Sequence, residues 1–254
     1  MLGDVERALQ ALVRVDFVLL YDSDRRERET DLVIASEHVT HEAVRRLRRD
    51  GGGLICTTVA APAWTRLGIP FLADLFHEAR ARHPLLAELV PDDIPYDTKS
   101  AFAITINHRK TFTGITDRDR ALTISTFARM VREALEFRGP DDELRRAFGQ
   151  QFRSPGHVAL LNASDGLLSA RSGHTEMATA LVQAAGLIPS ATICEMMGDD
   201  GRALAKEQAS ALGRANGFVF LEGAQVKEFW DSSGAGAAAS ARPKGPAGAV
   251  LDGR

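Results

Sequence analysis

The sequence predicts an α+β fold in which a mixed β-sheet carries helices on both sides. Short apolar segments typical of strands, segments with helical spacing, and their irregular alternation along the chain support this. The 254 residues are 44% hydrophobic and 26% charged, which is ordinary for a globular protein. A chain of this length fits one large domain or two small ones, and one core of this size buries most of its apolar surface.

Caps and glycines delimit the elements of the first half. Thr40 has the side chain of a helix N-cap, and Gly51 to Gly53 stop the helix that it starts. The predicted elements are a helix at Val5–Arg14, strands at Phe17–Tyr21 and Leu32–Ala35, a helix from Thr40 to about Asp50, a strand at Leu54–Thr57 and a helix near Leu72–Arg82.

In the second half, Thr116 and Asp119 have the spacing of a capping box before a long helical segment. Gly186 should end another helix. The predicted elements are a strand at Ala101–Ile106, a turn at His108–Ile115, a helix at Arg120–Leu135, a turn at Gly139–Asp141, strands at Val158–Leu161 and Gly166–Ser169, a helix at His174–Ala185, a strand at Ala191–Met196, a helix at Ala205–Asn216 and a strand at Phe218–Leu221.

Composition argues against several kinds of partner. The net charge of −3 gives no sign of nucleic-acid binding, and no apolar run reaches the ~20 residues of a membrane span. Two cysteines read as reduced thiols, and the charged N-terminus is unlike a signal peptide, so a cytoplasmic protein is expected. We expect the folded domain to cover residues 1–230, and the Gly/Ala/Pro-rich residues 231–254 to form a disordered tail.

The segment YDSDRRERETD, which follows the first predicted strand, is the first candidate site. Glu27, Glu29 and Asp31 are spaced by two residues, so an extended chain places their carboxylates on one face. Three like charges repel unless a cation neutralises them, and carboxylates suit Mg²⁺ or Mn²⁺. The alternative is a solvated acidic loop, which most charge runs are.

Two Arg/Gly/His clusters form the second candidate. Arg153 to His157 precede the segment RSGHTE, residues 171 to 176, which lies where a helix should begin. Free N–H groups at a helix start, together with Arg171, could hold a phosphate, and His174 could ligate a metal shared with the acidic loop. Each histidine taken singly could equally have a structural role.

Three further side chains are candidates on weaker grounds. Glu195 lies in an apolar strand, where an unpaired carboxylate is costly to bury, so it either reaches the end of the strand or has a partner, and it is a candidate acid–base group. Cys56 is either a small buried hydrophobic residue or part of a pocket lining. Thr113 precedes a capped helix in a segment that could bind phosphate.

In combination these segments resemble the 3,4-dihydroxy-2-butanone 4-phosphate synthases, most closely the archaeal-type, monofunctional enzymes. The resemblance runs from about Val5 to Trp230. It rests on the motifs YDSDRRERETDLVIASE, GGGLIC, PYDTKSAFAITINHRKTFTGITDRDRALTI, FRSPGHVALL, RSGHTEMATAL and TICEMMGDDG. It implies a metal-dependent lyase of riboflavin biosynthesis that converts ribulose 5-phosphate to the four-carbon product and formate. It also implies a homodimer with the active site near the subunit interface.

The resemblance also implies roles for individual residues. It gives Glu27 and His174 as ligands of Mg²⁺ or Mn²⁺. Its expected catalytic residues are His157, Glu195, Asp31, Glu29 and Cys56, and Asp119 is a further pocket position. Its expected substrate-binding residues are Arg26, Glu27, Asp31, Thr113, Arg171, Ser172, Gly173, His174, Thr175 and Glu195.

The sequence departs from the family pattern in the acidic loop. Many bacterial relatives have Asn and Gly where this chain has Arg28 and Thr30, a change that restricts the backbone and adds a charge without altering the expected ligands. Two other functions remain possible. One is a non-catalytic sugar-phosphate-binding regulator, which would not need these acid–base groups. The other is an RNA-associated carbamoylating protein with a similar domain, which the missing basic face argues against.

Overall fold

The computed structural model describes residues 3–97 and 99–233. Within these ranges the chain forms one seven-stranded sheet in the order β4-β5-β3-β6-β2-β1-β7. The strands are β1 (Val18–Tyr21), β2 (Thr30–Ala35), β3 (Cys56–Val59), β4 (Phe102–His108), β5 (Phe152–Asn162), β6 (Ala191–Glu195) and β7 (Val219–Glu222). The pairs β1–β7 and β3–β5 are parallel, and the other pairs are antiparallel, so the sheet is mixed as predicted.

Helices cover both faces of the sheet, which confirms the predicted α+β class. They are α1 (Asp4–Val13), α2 (His41–Arg46), α3 (Ala61–Leu67), α4 (Leu72–Ala79), α5 (Leu85–Glu88), α6 (Asp117–Glu136), α7 (Asp141–Gln151), α8 (His174–Ala184), α9 (Lys206–Asn216) and α10 (Gly223–Ser232). Alternate strand residues enter two cores: one includes residues of α2, α3, α6, α7 and α9, and the other residues of α1, α8 and α10. We call the second side the α8 face.

The predicted caps form as hydrogen bonds. The Thr40 hydroxyl accepts from the backbone N–H of Ala43, and the Thr116 hydroxyl accepts from that of Asp119. The helix that Thr40 starts changes to a π-helical turn over Leu47–Gly51 before β3. These caps fix where α2 and α6 begin, because they satisfy backbone donors that have no partner inside the helix.

The prediction of a strand at Gly166–Ser169 was wrong, because Leu167–Ser169 form a 3₁₀ turn. Gly166 has a φ of 83°, a backbone conformation that ends an extended chain and that glycine adopts without a steric penalty. The sequence also gave no sign of α7, where a turn was expected at Gly139–Asp141. This helix buries Leu144 fully and carries acidic residues in its first turn, so its apolar period is weak.

The predicted tail begins inside the last helix. Asp231 and Ser232 form the end of α10, which the sequence analysis did not anticipate, and Ser233 follows it. The rest of the predicted tail lies outside the described residues. α10 packs Val226 and Trp230 into the core of the α8 face, so this helix contributes to that core.

Candidate active site

The acidic loop between β1 and β2 is closed by a carboxylate that the site prediction omitted. Asp22, directly after β1, accepts hydrogen bonds from the N–H groups of Glu27 at 2.8 Å and Glu29 at 3.1 Å. Aspartate stabilises turns in this way because its short side chain reaches nearby backbone donors. Its position as the first carboxylate after a predicted strand was the available signal. The closed loop directs Glu27 towards α8.

Strand register brings Asp31 and Glu195 together. Asp31 of β2 is paired with Glu195 of β6, and Cys56 of β3 is paired with Ile193 of β6. Because side chains alternate along a strand, these residues all belong to the α8 face. The predicted catalytic residues Asp31, Glu195 and Cys56 therefore lie on the same face, at neighbouring positions on adjacent strands.

His174, the first residue of α8, contacts the acidic loop and Asp31 on the α8 face of the sheet. Its Nδ1 lies 3.2 Å from Glu27 Oε2, and its Nε2 lies 3.2 Å from the Glu29 carbonyl oxygen. The same Nε2 is 3.8 Å from Asp31 Oδ1. The fold thus joins an imidazole and an acidic loop that are 147 residues apart in the chain.

Burial and neighbouring charges shift the pKa values of the side chains in this cluster, and the two effects often oppose each other. Burial alone would lower the pKa of His174, but the Asp31 carboxylate and the hydrogen bond with Glu27 outweigh it and raise that pKa to about 9. The same hydrogen bond lowers the pKa of Glu27. Burial raises the pKa of Asp31 to about 7, although His174 acts against it, and burial also raises the pKa of Glu29. Near neutral pH the cluster therefore contains a protonated His174 and an Asp31 that is partly protonated.

Glu195 is held close to the backbone after the π-helical turn. Its carboxylate accepts from the N–H of Leu54 at 2.8 Å, and its carbonyl accepts from the N–H of Gly53. A Cβ on Gly53 would lie 2.3 Å from Glu195 Oε2, so only glycine fits there. The GGG segment was interpreted as a helix stop, and it also makes room for Glu195.

Arg171 and Arg26 form the cationic side of the site. Arg171 Nη1 donates to Glu176 Oε2 at 2.5 Å, and its Nε donates to Asp97 Oδ2 at 2.5 Å. Arg26 Nη1 donates to the carbonyl of Ser172 at 2.9 Å. The site prediction omitted both Glu176 and Asp97, although they belong to the motifs RSGHTE and PYDTK.

A cavity of about 150 Å³ joins the two sides. Its lining includes Glu27, Cys56, Arg171, His174, Thr175 and Glu195 among the predicted site residues, and Tyr96, Asp97, Lys99 and Ser100 from the chain before β4. Burial raises the pKa of the Cys56 thiol well above its ordinary value, so this side chain is a neutral thiol at the cavity wall. Gly173 is the buried N-cap residue of α8, and Ser172 is exposed.

The structure does not bring His157, Thr113 and Asp119 into contact with this cavity. They surround Asn107: its amide nitrogen is 3.1 Å from His157 Nδ1 and donates to the carbonyl of Thr113, and Asp119 accepts from the N–H of Gly114. Register places His157 level with Glu195 on the α8 face, two strands away. At the usual strand spacing this is roughly 10 Å. His157, Thr113 and Asp119 therefore form a second group, separate from the one around His174.

The model of the 3,4-dihydroxy-2-butanone 4-phosphate synthase family matches residues 6–229. The chain belongs to this family. It is 49% identical over 225 residues to the 3,4-dihydroxy-2-butanone 4-phosphate synthase of Methanothermobacter thermautotrophicus, covering 88% of this chain and 94% of that protein. It is 42% identical over 232 residues to the synthase of Archaeoglobus fulgidus, covering 91% and 95%.

Solved synthase structures share the fold. The synthase of Candida albicans superposes with a TM-score of 0.65 at 29% identity, covering 90% of this chain and 98% of that chain. A synthase in complex with two magnesium ions has a TM-score of 0.66 at 25% identity, covering 92% and 99%. These relatives are named as synthases, which does not favour the alternative of a non-catalytic regulator.

The donor atoms of this synthase-family chain fit a hard divalent cation. One ligand atom each from Asp22, Glu27 and His174 lie within 4.8 Å of one another. In addition, Asp31 Oδ1 is buried and has no hydrogen-bond partner among residues 3–97 and 99–233. Carboxylate oxygens and one imidazole suit Mg²⁺ or Mn²⁺, and a cation would satisfy the unpaired oxygen. Glu27 and His174, the expected ligands, are both in this group.

Replacing Gly53 tests the tight packing around Glu195. The Gly53→Ala variant should be destabilised by about 2 kcal/mol, because the added methyl group overpacks the contact with Glu195. Gly149→Ala is the matched control, since a Cβ there meets nothing within 4 Å and a helical alanine stabilises by about 0.5–1 kcal/mol. Urea unfolding measures both. A Gly53→Ala variant as stable as the parent, with Glu195 unmoved in its crystal structure, would contradict this account.

Proposed function

We propose that this protein converts D-ribulose 5-phosphate to L-3,4-dihydroxy-2-butanone 4-phosphate and formate in riboflavin biosynthesis. The observation that carries the proposal is the contact of His174 with Glu27 and Asp31, next to the guanidinium groups of Arg171 and Arg26. Membership of the synthase family supports it. We also propose a cytoplasmic location. In the part of the chain that the structure describes, no helix is both long and apolar enough to cross a bilayer.

The two sides of the cavity suit the two ends of such a substrate. Arg171 and Arg26 present guanidinium groups next to the first turn of α8, an arrangement that binds phosphate. The carboxylates and His174 lie at the other side, where the ketone and hydroxyl groups would be placed. A sugar phosphate therefore fits with its phosphate at the arginines and its reactive carbons at the acidic loop.

Glu27 and His174 would hold the Mg²⁺ or Mn²⁺ ion, with Asp22 and Asp31 within reach. A bound divalent ion supplies Lewis-acid stabilisation of the negative charge that develops when a proton next to the ketone is removed. The residues themselves orient the substrate: Asp22 fixes the loop, and the register of β2 against β6 fixes Asp31 and Glu195. The narrow cavity limits the water that reaches the reactive carbons.

The carboxylates whose pKa values are raised are the groups that transfer protons. Asp31, with its pKa near 7, can accept and return a proton near neutral pH, and burial shifts the pKa of Glu29 in the same direction. The reaction requires repeated transfers: a proton leaves beside the ketone, water is lost at the first carbon, and a water molecule is used again when the fourth carbon leaves as formate. Glu195 and the neutral Cys56 thiol border the same space and complete its polar lining.

The function is tested by supplying ribulose 5-phosphate with Mg²⁺ and measuring formate and the four-carbon product. The parent protein should release both, and EDTA should stop the reaction. Glu27→Gln and His174→Ala should each reduce formate release by about a hundredfold or more, because each removes a metal ligand. Glu42→Gln, an exposed carboxylate in α2, is the matched control. Thermal unfolding checks that the variants fold, and full activity in either ligand variant would remove the metal assignment.

Metal binding should become tighter as pH rises. His174, with a pKa of about 9, is protonated near neutral pH and must lose that proton to ligate a metal. Between about pH 7 and pH 8 the affinity for Mg²⁺ should therefore rise by up to tenfold for each proton displaced. Calorimetry in two buffers with different ionisation heats counts the released protons. An affinity that does not change with pH would contradict the proposed role of His174.

We propose that the protein is a homodimer whose interface borders the active site. Apolar side chains are exposed at this end of the molecule: Phe112 is 94% exposed and Ile115 is 51% exposed, on either side of Thr113, and Leu54 next to Glu195 is 51% exposed. Clustered exposed apolar residues mark association surfaces. A second copy covering them would also enclose the group around His157.

Removing this apolar surface should dissociate the dimer. Phe112→Ser should shift the protein towards monomer at micromolar concentration and reduce formate release, because the interface loses its most exposed aromatic ring. Leu85→Ser, at an apolar position in α5 that is 69% exposed, is the matched control. Light scattering measures the mass. A parent protein that is monomeric at micromolar concentration would count against the dimer.

A further inference from the structure

One carboxylate oxygen accepts from both arginines of the cationic side. Asp97 Oδ2 is 2.5 Å from Arg171 Nε and 2.5 Å from Arg171 Nη2, and it is 3.3 Å from Arg26 Nη2. The Asp97 side chain is 12% exposed. Forked guanidinium donors around one oxygen are the pattern with which proteins bind a phosphate oxygen. Asp97 therefore occupies an anion position in this structure.

The two arginines have other partners that hold them in place. Arg171 is paired with the fully buried Glu176, and Arg26 donates to the carbonyl of Ser172 and lies 3.5 Å from Glu27. Both guanidinium groups thus remain oriented if Asp97 leaves. An anion that replaces Asp97 would find the donors already arranged, which reduces the ordering cost of binding.

Asp97 also separates two cavities. The first is the cavity of about 150 Å³ that contains Glu27 and His174. The second, of about 180 Å³, is lined by Phe71, Asn162 and Ser164, and both cavities share Asp97, Lys99 and Arg171 in their walls. Movement of the Asp97 side chain would enlarge the space next to Arg171 in both cavities.

The segment that carries Asp97 is loosely packed. We call residues 72–97 the strap; it includes α4 and α5, and none of its residues is buried. Leu85, Leu89 and Val90 within it are more than half exposed. Segments with so little buried surface open at low free-energy cost. The contacts of Asp97 with the two arginines therefore contribute much of what holds the end of the strap against the site.

We propose that Asp97 is a gate that makes the site selective for phosphorylated sugars. Its carboxylate binds the arginine pair, and the more highly charged phosphate group of a substrate displaces it and releases the strap. An unphosphorylated sugar has no anion to displace Asp97 and meets a closed site. This inference rests on the proposed function for the identity of the substrate, but not for the competition between Asp97 and phosphate.

Inorganic phosphate is the probe for this competition. Calorimetry on the full chain, with and without Mg²⁺, should show that Asp97→Asn binds phosphate about tenfold more tightly than the parent. In the variant, phosphate no longer has to displace the Asp97 carboxylate from the two arginines. Asp93→Asn, which removes an exposed strap carboxylate, is the matched control and should change affinity less than about twofold. Equal or weaker phosphate binding by Asp97→Asn overturns the proposal.

Limited proteolysis reports the movement of the strap. Trypsin cleaves after Arg80 and Arg82 within the strap and after Lys99 just beyond it. Phosphate should accelerate cleavage of the parent at these sites, whereas Asp97→Asn should be cleaved rapidly with or without phosphate. Cleavage of the parent that phosphate slows or leaves unchanged overturns the gate.

The assay for formate separates this inference from the proposed function. Tighter phosphate binding by Asp97→Asn in a protein that releases no formate would retain the gate and reject the lyase. Formate release with unchanged phosphate affinity in the variant would retain the lyase and reject the gate.

Discussion

The contact of His174 with the acidic loop is the interaction on which the rest of the site depends. The carboxylates of Glu27 and Asp31 and the backbone carbonyl of Glu29 converge on one buried imidazole, and the two carboxylates would repel without a positive charge between them. An imidazolium with a pKa of about 9 supplies that charge. A divalent cation bound by the same side chains would supply it in turn, so the arrangement suits either a proton on His174 or a metal ion.

Strand order and register convert this local contact into a pocket. β2 and β6 lie next to each other, so Asp31 and Glu195 face the start of α8 from adjacent strands. Because Gly53 has no side chain, the backbone after the π-helical turn lies close enough to Glu195 for the N–H of Leu54 to donate to its carboxylate. π-Helical turns occur often at functional sites because they place the following residues where a regular helix cannot. Here the turn Leu47–Gly51 performs that positioning.

Much of this arrangement was predictable, and the exceptions have physical reasons. Period-two carboxylates and the RSGHTE segment indicated the two halves of the site, since each pattern is local in the chain. The fold class followed from apolar segments, and the caps at Thr40 and Thr116 followed from short-range hydrogen bonding. Asp97 was missed because its partners Arg171 and Arg26 are brought near it only by the tertiary fold. Asp22 and Glu176 bind groups five residues away, so their contacts are local, but in a segment with many charges the sequence does not single them out. Helix α7 was missed because its burial is too small to give a period.

Positive and negative side chains alternate across the site, and each is paired with its neighbours in the series. Each member contacts the next through an ion pair or a short hydrogen bond: Glu176, Arg171, Asp97, Arg26 and Glu27. Glu27 then contacts His174, so the phosphate side and the metal side belong to one electrostatic network. Neighbours in such a network are not independent, and removing one changes the pairing of those beside it. Displacing Asp97 with a phosphate keeps a negative charge between the arginines, so Arg26 can remain paired while the acidic loop stays in place. Anion exchange at the arginines and cation exchange at His174 are therefore compatible: each replaces a charge by one of the same sign.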